Sequence, residues 1–178
     1  MNAWRWAYAG LFGVTLLIYV VMVTWSLPRI AADAGGLRAF DLRPMGYTFA
    51  EAKEFLASLS PEGTQFYLNT QHRLDILYPG LMALTLALGL WHLLRGAPAF
   101  VRLALLVPPV LSAVFDFLEN AHVSALLSAG ASGVTADMVA ASSRATVLKS
   151  VLGAVAVASL LTVAAVRQAR HLRGTVHG

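Results

Sequence analysis

Apolar residues run in four long blocks, roughly residues 7–26, 76–94, 103–127 and 138–166, each close to or above the ~20 residues that cross a hydrocarbon core about 30 Å thick. The first block carries no charge; the second is bounded by Asp75 and Arg95. The third begins after Arg102 and is interrupted late by Asp116, Glu119, Asn120 and His122, and the fourth holds Arg144 and Lys149 in its early turns. This pattern predicts an all-α membrane protein: a four-transmembrane-helix bundle forming a single membrane domain over residues 1–178. Pro79 is expected to kink the second span, and Pro108-Pro109 to bend the third.

Between the first two spans lies a segment, about residues 27–73, with a different rhythm. Thr48 followed by Glu51 is a capping-box signature, and Phe49, Ala52, Phe55, Leu56 and Leu59 share one face of the helix it starts. Ser60-Pro61-Glu62 supplies an N-cap, a first-turn proline and an early acid, so a second helix should begin there and run into the second span. The amphipathic insertion is expected to lie on the outer end of the bundle or in the headgroup layer, with a lid over a site as the sharper alternative. The turn formers of Asp41 to Tyr47 would order by packing on the bundle.

Orientation follows from the cations. Arg5, Arg95, Arg102, Arg167, Arg170 and Arg173 fall on one side of a four-span chain, whereas the 27–73 segment mixes both signs, which predicts cytoplasmic termini and an outer loop. Trp4, Trp6, Trp25 and Trp91 stand near span ends, as interfacial belts require. Ala32-Asp33-Ala34 looks like a leader cleavage site, but the apolar run before it is longer than the ~7–15 residues of a leader, so the first block is expected to stay as an anchor.

Composition agrees: 58% of residues are hydrophobic and 12% charged, against about 45–50% and about 25% in an ordinary soluble domain. The net charge of +4 is mostly orientation signal and calls for no nucleic acid. The absence of cysteine excludes disulfide frameworks, thiolate metal centres and thiol nucleophiles.

Ionisable residues inside spans are costly and point to function. At 1.5 Å per residue, Asp116 and Glu119 stand about 21 and 26 Å from the boundary at Arg102, Lys149 about 27 Å from Arg167, and Asp75 about 30 Å from Arg95. All lie at one depth, in the outer third. Asp116, Glu119 and Asn120 form one helical stripe, Ser142, Thr146, Lys149 and Gly153 a second, and His72, Asp75, Tyr78 and Pro79 a third. The three stripes are expected to meet, gathering Asp75, Asp116, Glu119, Asn120 and Lys149, with His72, Tyr78, His122 and Thr146 at the rim. Three acids against one lysine call for a proton held on one carboxyl or a bound cation.

Two uses of these residues are open. In the first the charges neutralise one another and fix helix register, while Asn120, Tyr78 and Thr146 bind a headgroup or satisfy the remaining hydrogen bonds. In the second, Asp75, Asp116, Glu119 and Lys149 are catalytic groups, with a divalent metal as cofactor on Glu119, His122, His72 and Asp75. Glu119-x-x-His122 and His72-x-x-Asp75 each place two ligands on one helix face, but a ferritin-like di-iron site needs two Glu-x-x-His pairs and only one is present. Ser143 or Ser150 with Lys149 is a poor Ser/Lys dyad because helix neighbours do not face each other, and His92 lies too far from His122 to share a haem. The inner half of the spans is nearly free of charge, which argues against a one-subunit pump or channel.

The segments Asp41-Leu42-Arg43-Pro44-Met45-Gly46-Tyr47-Thr48, Leu74-Asp75-Ile76-Leu77-Tyr78-Pro79, Phe115-Asp116-Phe117-Leu118-Glu119-Asn120 and Leu148-Lys149 resemble those of an uncharacterised group of small four-span bacterial integral membrane proteins. The resemblance implies a bacterial cytoplasmic membrane and the same acid, Asn and Lys pattern in relatives; it implies no activity. The expectation is therefore a non-enzymatic accessory, assembly or lipid-binding component, in contact with the bilayer and with a membrane partner or a second copy. The alternative is a membrane-embedded enzyme acting on an outer-leaflet lipid.

Overall fold

The computed structural model describes residues 3–176, with side chains through Leu172, so the side chain of Arg173 lies outside the described residues. Within them the chain is helical, without strands. Four helices are long and apolar enough to cross a membrane: α1 (Ala3–Asp33), α3 (Pro61–Leu93), α4 (Ala99–Gly133) and α5 (Ala136–Val176). The short α2 (Phe49–Ser58) stands between α1 and α3. Helix α3 packs on α1, α4 and α5, and α4 runs along α5, so α3 is the central element.

Both helix starts expected between the first two spans form. Thr48 accepts from the Glu51 amide, and the Glu51 carboxylate accepts from Thr48 in return. Ser60 caps α3, accepting from the Gly63 amide, with Pro61 in the first turn. At the other junction Gly130, at φ +64°, ends the regular turns of α4 before Ala136 opens α5.

The first helix runs further than the apolar block suggested, past Pro28 to Asp33. Pro28 lacks the N–H that would bond to the preceding turn. The helix accommodates it by widening into a π-turn over Met22–Ser26, where the Leu27 N–H reaches back to the Met22 carbonyl. A second π-turn, Tyr67–Gln71, interrupts α3 at the matching level. The two face each other: Ser26 Oγ donates to Gln71 Oε1 at 2.5 Å.

Most of the helical surface is apolar and unburied, as expected for faces turned to lipid. The tightly packed core sits at the loop end. There Ile30, Phe40 and Phe55 are fully enclosed with Tyr47, Tyr67, Leu126 and Val139, and Phe40 makes ring contacts with both Tyr47 and Phe55 at 4.8 Å. The segment between α1 and α2 is thus driven into the end of the bundle by burial of aromatic surface. Gly46, at φ +84°, lets it lie flat on α5: a Cβ there would come within 2.6 Å of Ser143 Oγ and 3.1 Å of Val147.

Candidate functional site

Each polar stripe faces a neighbouring helix. On α5, Lys149 is placed between Asp116, at 3.0 Å, and Glu119, both from α4. Among the described residues these are the only ion pairs. Glu119 is fully enclosed, and its other oxygen accepts from Thr146 Oγ1 at 2.5 Å. Ser142, one turn before Thr146, accepts from the Tyr47 hydroxyl at 2.7 Å, and Ser143 Oγ accepts from the Tyr47 amide at 2.9 Å. Burial pushes the Tyr47 hydroxyl up to about 12.

Asp75 on α3 belongs to a second chain of bonds. Gln71 Nε2 donates to Asp75 Oδ2 at 2.9 Å and itself accepts from Ser26, linking α1 to α3 through the paired π-turns. The backbone of Asp75 matters separately. Pro79 has no N–H, so the Asp75 carbonyl four residues earlier loses its helical donor. Asn120 Nδ2 from α4 supplies one instead, at 2.9 Å.

A cavity of about 440 Å³ opens beside these groups. Asp75, Asp116, Lys149 and Tyr78 line it from the helices, and Arg38, Asp41 and Pro44 line it from the segment between α1 and α2. Asp41 is fixed by the Tyr67 hydroxyl at 2.5 Å. The Arg43 guanidinium donates twice to the Arg38 carbonyl, at 3.0 and 2.7 Å, which pins the backbone of this cover. Two apolar grooves adjoin the cavity and share Tyr78 with it. One, about 430 Å³, runs over α3 between α1 and α5, past Phe12, Met82 and Leu160; the other, about 480 Å³, runs between α3, α4 and α5 past Pro109 and Gly153.

No match emerges from comparison with protein-family models, curated proteins or solved structures.

Of the residues singled out in the sequence, Asp116, Glu119, Lys149 and Thr146 are in direct contact, Asn120 binds the Asp75 backbone, and Tyr78 lines the cavity and stacks on Tyr19 at 5.8 Å. His72 and His122 do not join Glu119 and Asp75 as a ligand set. His72 Nδ1 lies 3.4 Å from Ser124 Oγ, and among the described residues no three His, Asp or Glu side chains converge with a spacing that would hold a metal ion. Sequence reasoning missed Ser26, Gln71 and Arg38. Gln71 had a usable signal, standing one helical turn before Asp75 on the same face; Arg38 had none, because its position depends on how the cover folds back.

Proposed function

We propose that this protein is a non-enzymatic membrane component that binds a phospholipid at its loop end, with the headgroup under the cover and an acyl chain in the adjoining grooves. The observation that carries the reading is the continuity of a polar, covered cavity with apolar, lipid-facing grooves through the shared wall at Tyr78. Arg38 is the cavity cation with no acid partnered to it among the described residues, which suits a phosphate. Asp75 and Asp116 offer acceptors to headgroup hydroxyls or an amine, while the Lys149 pairs with Asp116 and Glu119 hold the floor in place.

The distribution of charge supports the placement of this end outward in a bacterial cytoplasmic membrane, with both termini inside: the arginines without acidic neighbours mark the opposite end. Partner proteins or a second copy would then meet the lipid-facing surface rather than the covered end.

Native mass spectrometry of protein extracted in mild detergent tests the reading. One phospholipid per chain retained at this site is expected, and this copy is reduced in Arg38→Gln and in Met82→Trp, which fills the groove. A wild-type protein that arrives lipid-free and takes up none from mixed micelles overturns it.

A further inference from the structure

The opposite end of the molecule carries a second pocket, about 620 Å³, where α3 turns into α4 and the end of α5 passes beside it. Arg95, Arg167 and Arg170 line it, with Leu94, Val163 and Val166 forming its apolar side. Arg167 is already engaged. Its Nη1 donates to the carbonyls of His92 and Leu93, at 3.2 and 2.8 Å, closing the C-terminal end of α3. Arg95 and Arg170 are exposed and form no ion pair among the described residues.

The protein has nothing with which to neutralise them. All nine acidic residues lie between Asp33 and Asp137, and those within α3 and α4, Glu62, Asp75, Asp116 and Glu119, stand about 20 Å or more along the helices from this end. No acid occurs from Ile76 to Phe115 or after Asp137. The level of the pocket is marked by an aromatic belt: Arg102 lies 3.7 Å over the Trp91 ring, and Trp4 stacks on His92 at 5.9 Å. From Trp4 to Trp25, the belt residue at the loop end, is about 32 Å along α1, one hydrocarbon thickness. The pocket therefore stands at the polar boundary of the bilayer, with its cations at headgroup level and its leucine and valine wall towards the acyl chains.

We infer that this pocket is a specific site for an anionic phospholipid, its phosphodiester held by Arg95 and Arg170 and its chain along Leu94, Val163 and Val166. The juxtaposition of two free guanidinium groups, an apolar wall at interfacial depth and a half-molecule without acids fits a lipid phosphate. A zwitterionic headgroup would bring an ammonium against the same arginines and gain less. This site is independent of the one proposed at the loop end.

The test is a lipid titration of the full chain in mixed micelles, followed by native mass spectrometry, with phosphatidylglycerol and phosphatidylcholine as alternative probes. Wild type should prefer phosphatidylglycerol, and R95Q/R170Q should lose roughly thirtyfold in that affinity, because each arginine near an anionic surface adds about a fivefold gain. Any lipid retained through Arg38 should survive in this variant, so the two sites are read separately. Inorganic phosphate at millimolar concentration should not displace the lipid; displacement would show that a free anion is the ligand and overturn the assignment. Equal retention of the two lipids, or a double variant that keeps the preference, would also overturn it. Arg167 is left intact because it caps α3, and an unchanged melting temperature in lipid-free detergent confirms that R95Q/R170Q is folded.

Discussion

Pro79 and Asn120 should behave as one unit. The proline removes the donor that an α-helix would present to the Asp75 carbonyl, and Asn120 Nδ2 replaces it from the neighbouring helix at 2.9 Å. Asn120 is buried, so replacing it with Leu leaves a carbonyl without a partner in a water-poor setting, a loss of about 1–3 kcal/mol in protein interiors. Interhelical hydrogen bonds in membranes fall lower, about 0.6 kcal/mol on average and up to about 1.7. We therefore expect Asn120→Leu to cost about 1–2 kcal/mol in the native background. In Pro79→Ala the residue 79 amide can close the helical bond itself, and the same Asn120→Leu change should cost about 1 kcal/mol less. Unfolding equilibria of the four proteins in mixed detergent and SDS give the cycle directly, and the change in side-chain size and polarity from Asn to Leu cancels between its two arms. An Asn120→Leu cost that agrees in both backgrounds to within about 0.3 kcal/mol would refute the reasoning, since the asparagine would then serve packing rather than the carbonyl freed by the proline.

Lys149→Met, which leaves Asp116 and Glu119 without their cation, should destabilise the protein by about 3–5 kcal/mol, while Glu119→Gln, which leaves the Asp116 pair intact, should cost less; detergent melting temperatures rank the two. Gly46→Ala combines a left-handed backbone with a 2.6 Å approach to Ser143 Oγ, so the segment over the cavity should lift, costing about 1–3 kcal/mol and freeing the Arg38–Ala39 bond for cleavage by trypsin. The Tyr47 hydroxyl titrates near 12 when folded against about 10 when free, so its contribution is fully present below pH 10 and is lost as pH rises towards 12; Tyr47→Phe should flatten that alkaline decline in a melting series. Glu51 has its carboxyl held low by hydrogen bonds from the Thr48 amide and side chain. The cap's contribution is therefore present above the ordinary glutamate range and lost as pH falls through the lowered value, and Glu51→Gln should remove that acid dependence from the proteolysis of α2.

The long helices were legible because length and hydropathy decide them, and the start of α2 was legible because Thr48 and Glu51 encode a local, reciprocal pair of bonds. The facing of the α4 and α5 stripes was also within reach. Asp116, Glu119, Thr146 and Lys149 fall on single arcs, and ion pairs at one depth leave few alternatives. The π-turns were not legible. An inserted residue rotates everything beyond it by about 100°, and no residue type announces the insertion. The cover over the cavity was out of reach for a different reason. Asp41 to Tyr47 holds its place through Tyr67, Ser142 and Ser143, partners 20 to 100 residues away along the chain by order of magnitude, and such contacts carry no local pattern.

The site sits where it does because a membrane bundle of four helices cannot enclose a polar group by itself at its ends. Lipid solvates the outward faces of α1, α4 and α5 along most of their length, and there the interior is closed by small contacts such as Gly89 beneath Tyr8, or by hydroxyl pairs such as Thr15 with Thr85 at 3.0 Å. Only at the loop end does the chain supply further walls, through Phe40, Phe55 and Tyr47, and only there are acids found. The acids at that end find partners within the protein, Asp116 and Glu119 in Lys149, and Asp41 and Asp75 in the hydrogen bonds from Tyr67 and Gln71. At the other end the arginines have no acidic partner among the described residues, and Arg95 and Arg170 are left for the anionic lipid proposed above. A ligand reaching the covered cavity therefore has an obvious route from the membrane, along the groove between α1 and α5, where α3 forms the floor and Tyr19 and Tyr78 stand at the entrance to the polar groups.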